Sequence, residues 1–265
     1  MITTKPYPGT QSVLRAVSLL KVFDDEHPEW GLGELARETG LNKTTTFRLL
    51  SALESEGLVA RNETGDCYVL GPEILVLGGR ALRANNLRRV SRAGLETLAV
   101  TTGETASLEV LSGTEMLIID EVMGEHLVSG VRSIGTRWPL HGASTGLALL
   151  AFEAEAKREA FLRTALTPIT AKTIIDPEIL RPLLAEFAEQ GYAVADEVLE
   201  LGLIAIGAPL YNYDGRIVAA ISIFGPKMRL AESRVTAVGE LVRGTAADIS
   251  SMLGYRPKYS DRDDS

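Results

Sequence analysis

The chain is poor in the residues that mark many other protein classes. It has a single cysteine, Cys67. One thiol closes no internal disulfide, which fits a reducing cytoplasm. Its three histidines, His27, His126 and His141, stand at no spacing that would bring them onto one zinc ion with Cys67 or a carboxylate, so no metal ligand is assigned. No apolar run approaches the roughly 18 residues a membrane-spanning helix needs. The opening "MITTKPYPGT" has no apolar core of a signal peptide and reads as a short arm. Catalytic signatures are missing as well. "GASTG" around Ser144 lacks the Gly-x-Ser-x-Gly spacing of a serine nucleophile. The glycines of "GPEILVLGG" are not followed by the Lys-Ser/Thr pair of a phosphate loop. No catalytic residue and no cofactor is therefore assigned. The formal charge of −8 argues against a protein that coats nucleic acid non-specifically, though not against a small local DNA-binding face.

What is present is an ordinary globular composition. The 265 residues are 45% hydrophobic and 23% charged, with a mean hydropathy of +0.09, enough for two domains of unequal size. "QSVLRAVSLLKVFDD" spaces Val13, Val17, Leu20 and Val22-Phe23 around an amphipathic helix that stops at the acidic "DDEHPEW". "LGELARETG" is a short helix with Leu32, Leu35 and Ala36 inward and Gly40 as its stop. "NKTTTFRLLSALESEG" is a third helix, with Asn42 as N-cap and Gly57 as terminator. "LVARNETGDCYVLG" alternates around a turn and predicts a β-hairpin. Three helices and a hairpin describe a winged helix-turn-helix.

Beyond residue 72 the pattern predicts two helices with a joint near Ala84 to Asn86, carrying Arg80, Arg83, Arg88, Arg89 and Arg92 with no acid between positions 79 and 95. That cluster suits flanking DNA phosphates and, equally, acids on a partner subunit. Strands follow in "TASLEVL" and "MLIIDEV", then an extended segment from His126 to Pro139. "GASTGLALLAF", "EAEAKREAFLRTAL" and "DPEILRPLLAEFAEQG" read as helices, the last with an Asp-Pro start and a glycine stop. Ser144 is expected to cap its helix or to touch a ligand. "YAVADEV", "LIAIGAPLY" and "RIVAAISIF" read as strands, and a closing helix runs from about Leu230 to Leu253. This is an α+β arrangement with a mainly antiparallel sheet.

The third helix opens with three threonines, mediocre helix formers. On a 3.6-residue wheel Thr46, Leu49, Leu50 and Leu53 share one face, and Thr44, Arg48 and Ser51 the opposite one, flanked by Thr45 and Phe47. By itself that is an amphipathic helix with a solvated face. The helix and tight turn before it give helix-turn-helix geometry, in which threonine hydroxyls reach phosphate or base edges and Arg48 suits guanine or phosphate. In the hairpin, Arg61 stands where a phosphate or minor-groove contact can form, yet hairpin tips collect such turn residues anyway. Residues 1 to 78 hold seven Lys or Arg against eleven Asp or Glu, so binding must come from a narrow face, used twice in a paired assembly. The expected DNA-facing set is Gln11, Arg15, Asn42, Lys43, Thr44, Thr45, Phe47, Arg48, Ser51, Arg61 and Tyr68.

Over nearly its whole length the sequence resembles the IclR family of bacterial transcriptional regulators. The resemblance lies in "SVLRAVSLLKVF", "GELARETGLNKTTTFRLLSALESEGLVAR", "YVLGPEILVLG", "WPLHGASTGLALLAF" and "GYAVADEVLELGLIAIGAPLYNYDGRIVAAISIFGP". It implies a winged helix-turn-helix over residues 8–72, a linker helix over 73–88, a GAF-like α/β effector-binding domain over 89–255 and a disordered tail over 256–265. It implies dimers built largely by the N-terminal domain and linker, with tetramers common. Carried onto this sequence, the family's effector pocket falls on His141, Gly142, Ala143, Ser144, Asp196, Ala205, Ile206 and Ser222. Where many members have Arg-Cys-Ile-Ala-Ala-Pro, this chain has Ile204 to Pro209, losing a cation and a thiol.

The expectation is thus a cytoplasmic DNA-binding regulator, a repressor before an activator, tuned by an aromatic or short carboxylic acid effector. Its partners are double-stranded operator DNA, the effector and a second copy of itself, with no membrane and no enzymatic activity. Two alternatives stand beside it: a small-molecule-sensing module or enzyme whose winged helix makes only protein contacts, and a regulator whose pocket holds nothing.

Overall fold

The computed structural model describes residue 7, residues 9–125 and residues 133–256. Most of the opening arm, most of the C-terminal tail, His126 and the first part of the extended segment lie outside the described residues. The chain divides into two units, one ending at Ala84 and the other beginning at Asn85.

The first unit contains α1 (Gln11–Leu20), β1 (Glu29–Gly31), α2 (Leu32–Glu38), α3 (Lys43–Ser55), β2 (Val59–Arg61), β3 (Cys67–Leu70) and α4 (Pro72–Ala84). Its core is Leu19, Leu35, Leu50, Leu53, Val59 and Tyr68. Three places depart from the sequence reading. In α1 the buried side chain is Leu19, while Val13, at 64% exposure, and Val17 face outward. Leu20, Val22 and Phe23 are only half-buried, the last two beyond the helix end. The "EWG" read as part of an acidic stop is a strand. It pairs antiparallel with β3, so the wing sheet has three strands in the order β1-β3-β2. A three-residue strand is too short for alternation to reveal it.

Turns and caps sit where residue chemistry put them. Gly40 and Gly57 each have φ of +67°, a region open to glycine at no steric cost. The Asn42 side chain accepts the Thr45 backbone N–H at 2.8 Å, satisfying one of the orphan donors at the start of α3.

The second unit begins with α5 (Asn86–Thr102), then β4 (Thr105–Ser112), β5 (Glu115–Val122), β6 (Arg137–Pro139), α6 (Ser144–Phe152), α7 (Glu155–Leu162), α8 (Pro177–Gln190), β7 (Ala193–Asp196), β8 (Leu203–Tyr211), β9 (Ile217–Pro226) and α9 (Glu232–Met252). The six strands form one sheet in the order β6-β5-β4-β9-β8-β7, every neighbouring pair antiparallel. Strand alternation sends Leu108, Ile206, Ile221 and Ile223 to one face, against Leu95 and Leu98 of α5 and Val242 and Ile249 of α9. Ala205, Ala220 and Phe224 face the other way, against Leu147 and Leu150 of α6 and Leu184 and Phe187 of α8. Each fully buried leucine or phenylalanine contributes about 1.5–3 kcal/mol.

Helix α6 is apolar on all sides, with Ser144 through Ala151 buried, the pattern of a helix enclosed by other elements. Close approach is obligatory: a Cβ on Gly146 would collide with the Leu140 carbonyl, and one on Gly207 of β8 would lie 2.9 Å from the Ser144 carbonyl carbon. The arginine cluster is partly committed within the chain. Arg88 and Arg92 donate to Asp120 at 2.9 and 3.2 Å, a carboxylate that is 1% exposed.

Candidate nucleic-acid interface and effector cleft

The expected DNA-facing surface rests on α3. Thr46, Leu50 and Leu53 are buried, and the Thr46 hydroxyl turns back to the Asn42 carbonyl at 3.0 Å. Lys43, Thr44, Phe47, Arg48 and Ser51 are exposed and Thr45 is half-buried. Ser51 donates to the Phe47 carbonyl at 2.9 Å. The side chains of Lys43, Thr44 and Arg48 take part in none of the hydrogen bonds or ion pairs among the described residues. On α1, Gln11 is exposed and Arg15 half-buried.

Two expected DNA-facing residues have other work. Tyr68 is fully buried, a core residue of the wing rather than a surface one. Its phenol is pushed up from the ordinary tyrosine range by burial, against the pull of the nearby Arg61 cation. Arg61 folds over the Tyr68 ring with its guanidinium carbon 3.8 Å from the centroid. It also donates to the Tyr68 hydroxyl at 2.5 Å and to the Gly65 carbonyl at 3.2 Å. That cation–π stack and paired hydrogen bonding brace the hairpin.

In the second unit Gly142, Ala143, Ser144 and Ala205 come together on one narrow cleft. Trp138, Ala195, Leu199, Leu203 and Ile204 complete its largely apolar lining, and Glu109 and Glu200 are its charged residues. The cleft is nearly shut, with a volume of ≈ 10 Å³, about one water. The side chain of Ser144 does not cap α6, because Ser144 is its first helical residue and the N-cap position falls on Ala143.

The remaining expected pocket residues lie elsewhere. Ile206 is on the opposite sheet face, packed with the α5–α9 core, since neighbours along a strand point to opposite sides. Asp196 is exposed and accepts from Lys227 Nζ at 2.7 Å. His141 is buried with Nε2 2.9 Å from the Thr167 carbonyl oxygen. His141 and Asp196 line a separate cavity of ≈ 410 Å³ with α8 residues such as Leu180, Leu183 and Phe187. Ser222 is buried two hydrogen bonds behind the cleft, its Oγ 2.8 Å from Ser107 Oγ, which in turn donates to Glu109.

Sequence reasoning missed Glu109, and it had a signal: a lone acid inside the apolar strand "TASLEVL", two residues after Ser107 and therefore on the same face. Ser107 Oγ donates to Glu109 Oε1 at 2.9 Å, and Thr145 Oγ1, in the first turn of α6, donates to Oε2 at 2.6 Å. The residues after β7 close the cleft's outer side. Glu197 is held at φ of +58°, a strained position for a residue with a side chain. Its N–H donates to the Leu203 carbonyl at 2.8 Å, its carboxylate accepts from the Gly202 N–H at 2.9 Å, and its carbonyl accepts from Thr170 Oγ1 at 2.7 Å. The Gly202 N–H, then Lys227, hold the Glu197 carboxyl below the usual carboxylate range.

A helix-turn-helix with a braced wing, followed by a separate sheet-and-helix unit with an internal cleft, defines a DNA-binding regulator with a sensory domain. Comparison with known proteins agrees on both halves. The IclR helix-turn-helix domain matches residues 12–63, and the bacterial transcriptional regulator IclR C-terminal domain matches residues 79–251. The chain belongs to the IclR family; it is a transcriptional regulator and not an enzyme. It is 31% identical over 250 residues to the HTH-type transcriptional repressor AllR of Salmonella paratyphi A, covering 94% of this chain and 92% of the relative. It is 29% identical to the HTH-type transcriptional regulator XynR of Escherichia coli, covering 94% and 99%. Among solved structures, an IclR regulator from Alicyclobacillus acidocaldarius superposes with a TM-score of 0.82 at 30% identity, covering 92% of this chain and 98% of that one. An IclR homologue from Microbacterium hydrocarbonoxydans, complexed with 4-hydroxybenzoate, gives 0.79 at 28% identity, covering 91% and 98%. No helix among the described residues is long and apolar enough to cross a membrane, and they contain no group of three or more His, Cys, Asp or Glu placed to hold a metal ion.

Proposed function

We propose that the protein is a cytoplasmic repressor that reads a pseudo-palindromic operator with α3 in the major groove and releases it when an effector enters the α6 cleft. The observation that carries this reading is the outer face of α3. Lys43, Thr44 and Arg48 project from a helix whose opposite face is locked into the core, and they spend no bond inside the chain. Such groups lose no internal partner on meeting a phosphate or a base edge. Arg61 and Tyr68 serve instead by fixing the wing's shape, and Gln11, Arg15, Asn42, Thr45, Phe47 and Ser51 complete the contact zone around the recognition helix.

Pairing of two copies is part of the proposal. Exposed apolar side chains concentrate on two helices of the first unit, Val13, Leu14 and Val17 on α1 and Leu75, Val76 and Leu77 on α4, a pattern that marks interaction surfaces. Dimers formed there present two recognition helices about one DNA turn apart, and dimers of dimers are the larger assembly. The effector acts through its differential affinity for two arrangements of the dimer. AllR is named a repressor and the Microbacterium homologue holds 4-hydroxybenzoate, which supports both halves of the scheme.

The test is operator binding by the full chain as salt is raised. The logarithm of affinity is expected to fall steeply with the logarithm of salt, and Arg48→Ala to relax preference at one operator position. A flat salt response would favour the alternative of a winged helix used only for protein contacts.

A further inference from the structure

Strand β8 runs on past one of its neighbours. Its pairing with β7 stops at Gly207, opposite Ala193, while its pairing with β9 continues to Tyr211. Ala208, Pro209 and Tyr211 of that last stretch line a cavity of ≈ 420 Å³, against ≈ 10 Å³ for the cleft at Ser144. Phe152, at the far end of α6, lines it too, about 12 Å along the helix axis from Ser144. The two spaces are separate. A bare strand edge invites a strand from another chain, but Pro209 has no N–H and the Tyr211 N–H is donated to Ser250 Oγ at 3.0 Å. That edge is closed to strand addition, and the volume lies in the range of small-molecule sites.

The walls are aromatic. Phe152 stands edge-on to Tyr211, with centroids 6.4 Å apart at 87°, and Tyr255 stacks on Tyr211 at 4.8 Å and 23°. Tyr255 is placed there by the turn that ends α9: Gly254 takes a φ of +88°, and the Tyr255 N–H donates to the Ser250 carbonyl at 2.9 Å. Burial, then the neighbouring Tyr255, pushes the Tyr211 phenol up to about 12, so it stays a neutral donor at any working pH. The charged lining residues are Arg243, Arg256 and Asp248, two cations against one acid. Arg243 is committed to Glu240 and to the Gln190 carbonyl. The side chains of Tyr211 and Arg256 take part in none of the hydrogen bonds or ion pairs among the described residues.

We propose that this cavity is a second small-molecule site, separate from the α6 cleft, and that it takes a planar aromatic carboxylate. The ring system lies against the wall of Phe152, Tyr211 and Tyr255, where flat faces and edges are already arranged for it. The carboxylate stays at the exposed rim, where Arg256 supplies a cation and the Tyr211 hydroxyl a neutral donor. The site stands whether or not the cleft holds the effector, because the two share no lining residue.

The experiment titrates the full-length protein with 2-naphthoate, 2-naphthol and 2-naphthylmethylamine, which share two fused rings and differ in the charge they carry. Calorimetry reads affinity, and thermal unfolding reads stabilisation of the native state. 2-Naphthoate is expected to bind and to raise the melting temperature, with the alcohol and the amine several-fold weaker. Ala247 is an exposed lining residue on α9, so Ala247→Trp fills the cavity from its rim and should abolish 2-naphthoate binding. Arg256→Gln should weaken it about threefold, the size of an exposed ion pair. No binding of 2-naphthoate to the native protein would overturn the site. Undiminished binding to Ala247→Trp would overturn it as well, by putting the ligand elsewhere. The amine or the alcohol binding as tightly as 2-naphthoate, or an unchanged affinity in Arg256→Gln, would overturn the carboxylate assignment. If Ala247→Trp does not fold, Arg256→Gln decides alone, since its side chain is exposed and holds nothing in place.

Discussion

Two helices of this protein open on hydroxyl residues, and their fates are opposite. Helix α3 begins Lys-Thr-Thr-Thr and leaves Thr44 in solvent; α6 begins Ser-Thr-Gly and sends Thr145, fully buried, onto the Glu109 carboxylate. The difference is enclosure. Helix α3 packs through one face only, so Lys43, Thr44 and Arg48 on its outer side stay in solvent. Helix α6 is surrounded by the sheet on one side and α8 on another, so every polar group on it must find a partner within the fold. The same residue type thus faces outward in one unit and is a buried hydrogen-bond donor in the other.

Substitutions can break that contrast, and the largest effect is expected where enclosure is tightest. Gly146→Ala should destabilise the second unit by about 3 kcal/mol or more, because its Cβ meets rigid backbone; chemical denaturation followed by circular dichroism measures it. Thr145→Val should cost about 1–3 kcal/mol of stability by removing a donor from a buried carboxylate, whereas Thr44→Val should stay within about 0.5 kcal/mol. Equal losses for the two valines would erase the distinction between the helices. Arg48→Ala should lose about 1–3 kcal/mol of operator binding, read by fluorescence anisotropy, with unfolding unchanged. Asn42→Ala should cost about 1 kcal/mol of stability through the lost cap. Smallest is a pH effect. The Glu197 carboxyl is held below its unfolded value, so its contribution is present above the ordinary glutamate range and lost as pH falls through the lowered value. Glu197→Gln should flatten the acid limb of the melting-temperature profile slightly.

The helix-turn-helix was legible because its determinants are local. Asn42, Gly40 and Gly57 punctuate α3 by short-range chemistry, and Thr46, Leu50 and Leu53 repeat at helical spacing. The wing was half legible: its hairpin showed in alternation around "NETGD", but β1 did not, because three residues carry no period. Tyr68 was misplaced, and the second role of Arg61 went unseen, for a related reason. Both types occur readily at DNA surfaces, and only the fold shows that the guanidinium lies over the tyrosine ring.

The cleft was legible only as a stretch of chain. Resemblance led to Gly142, Ala143, Ser144 and Ala205, which converge, and equally to Ile206, Asp196 and His141, which do not line that cleft. Glu109 stood in plain view as an acid in an apolar strand, but its partners come from β4 and α6, 36 residues apart in the case of Thr145. The sequence by itself determined most of the elements, the Asn42 cap, the glycine turns, the polar outer face of α3 and the family, since these depend on neighbours within a few residues. Tertiary structure alone decided which polar side chains remain free and which close on one another, because that depends on which surfaces the sheet and helices leave uncovered.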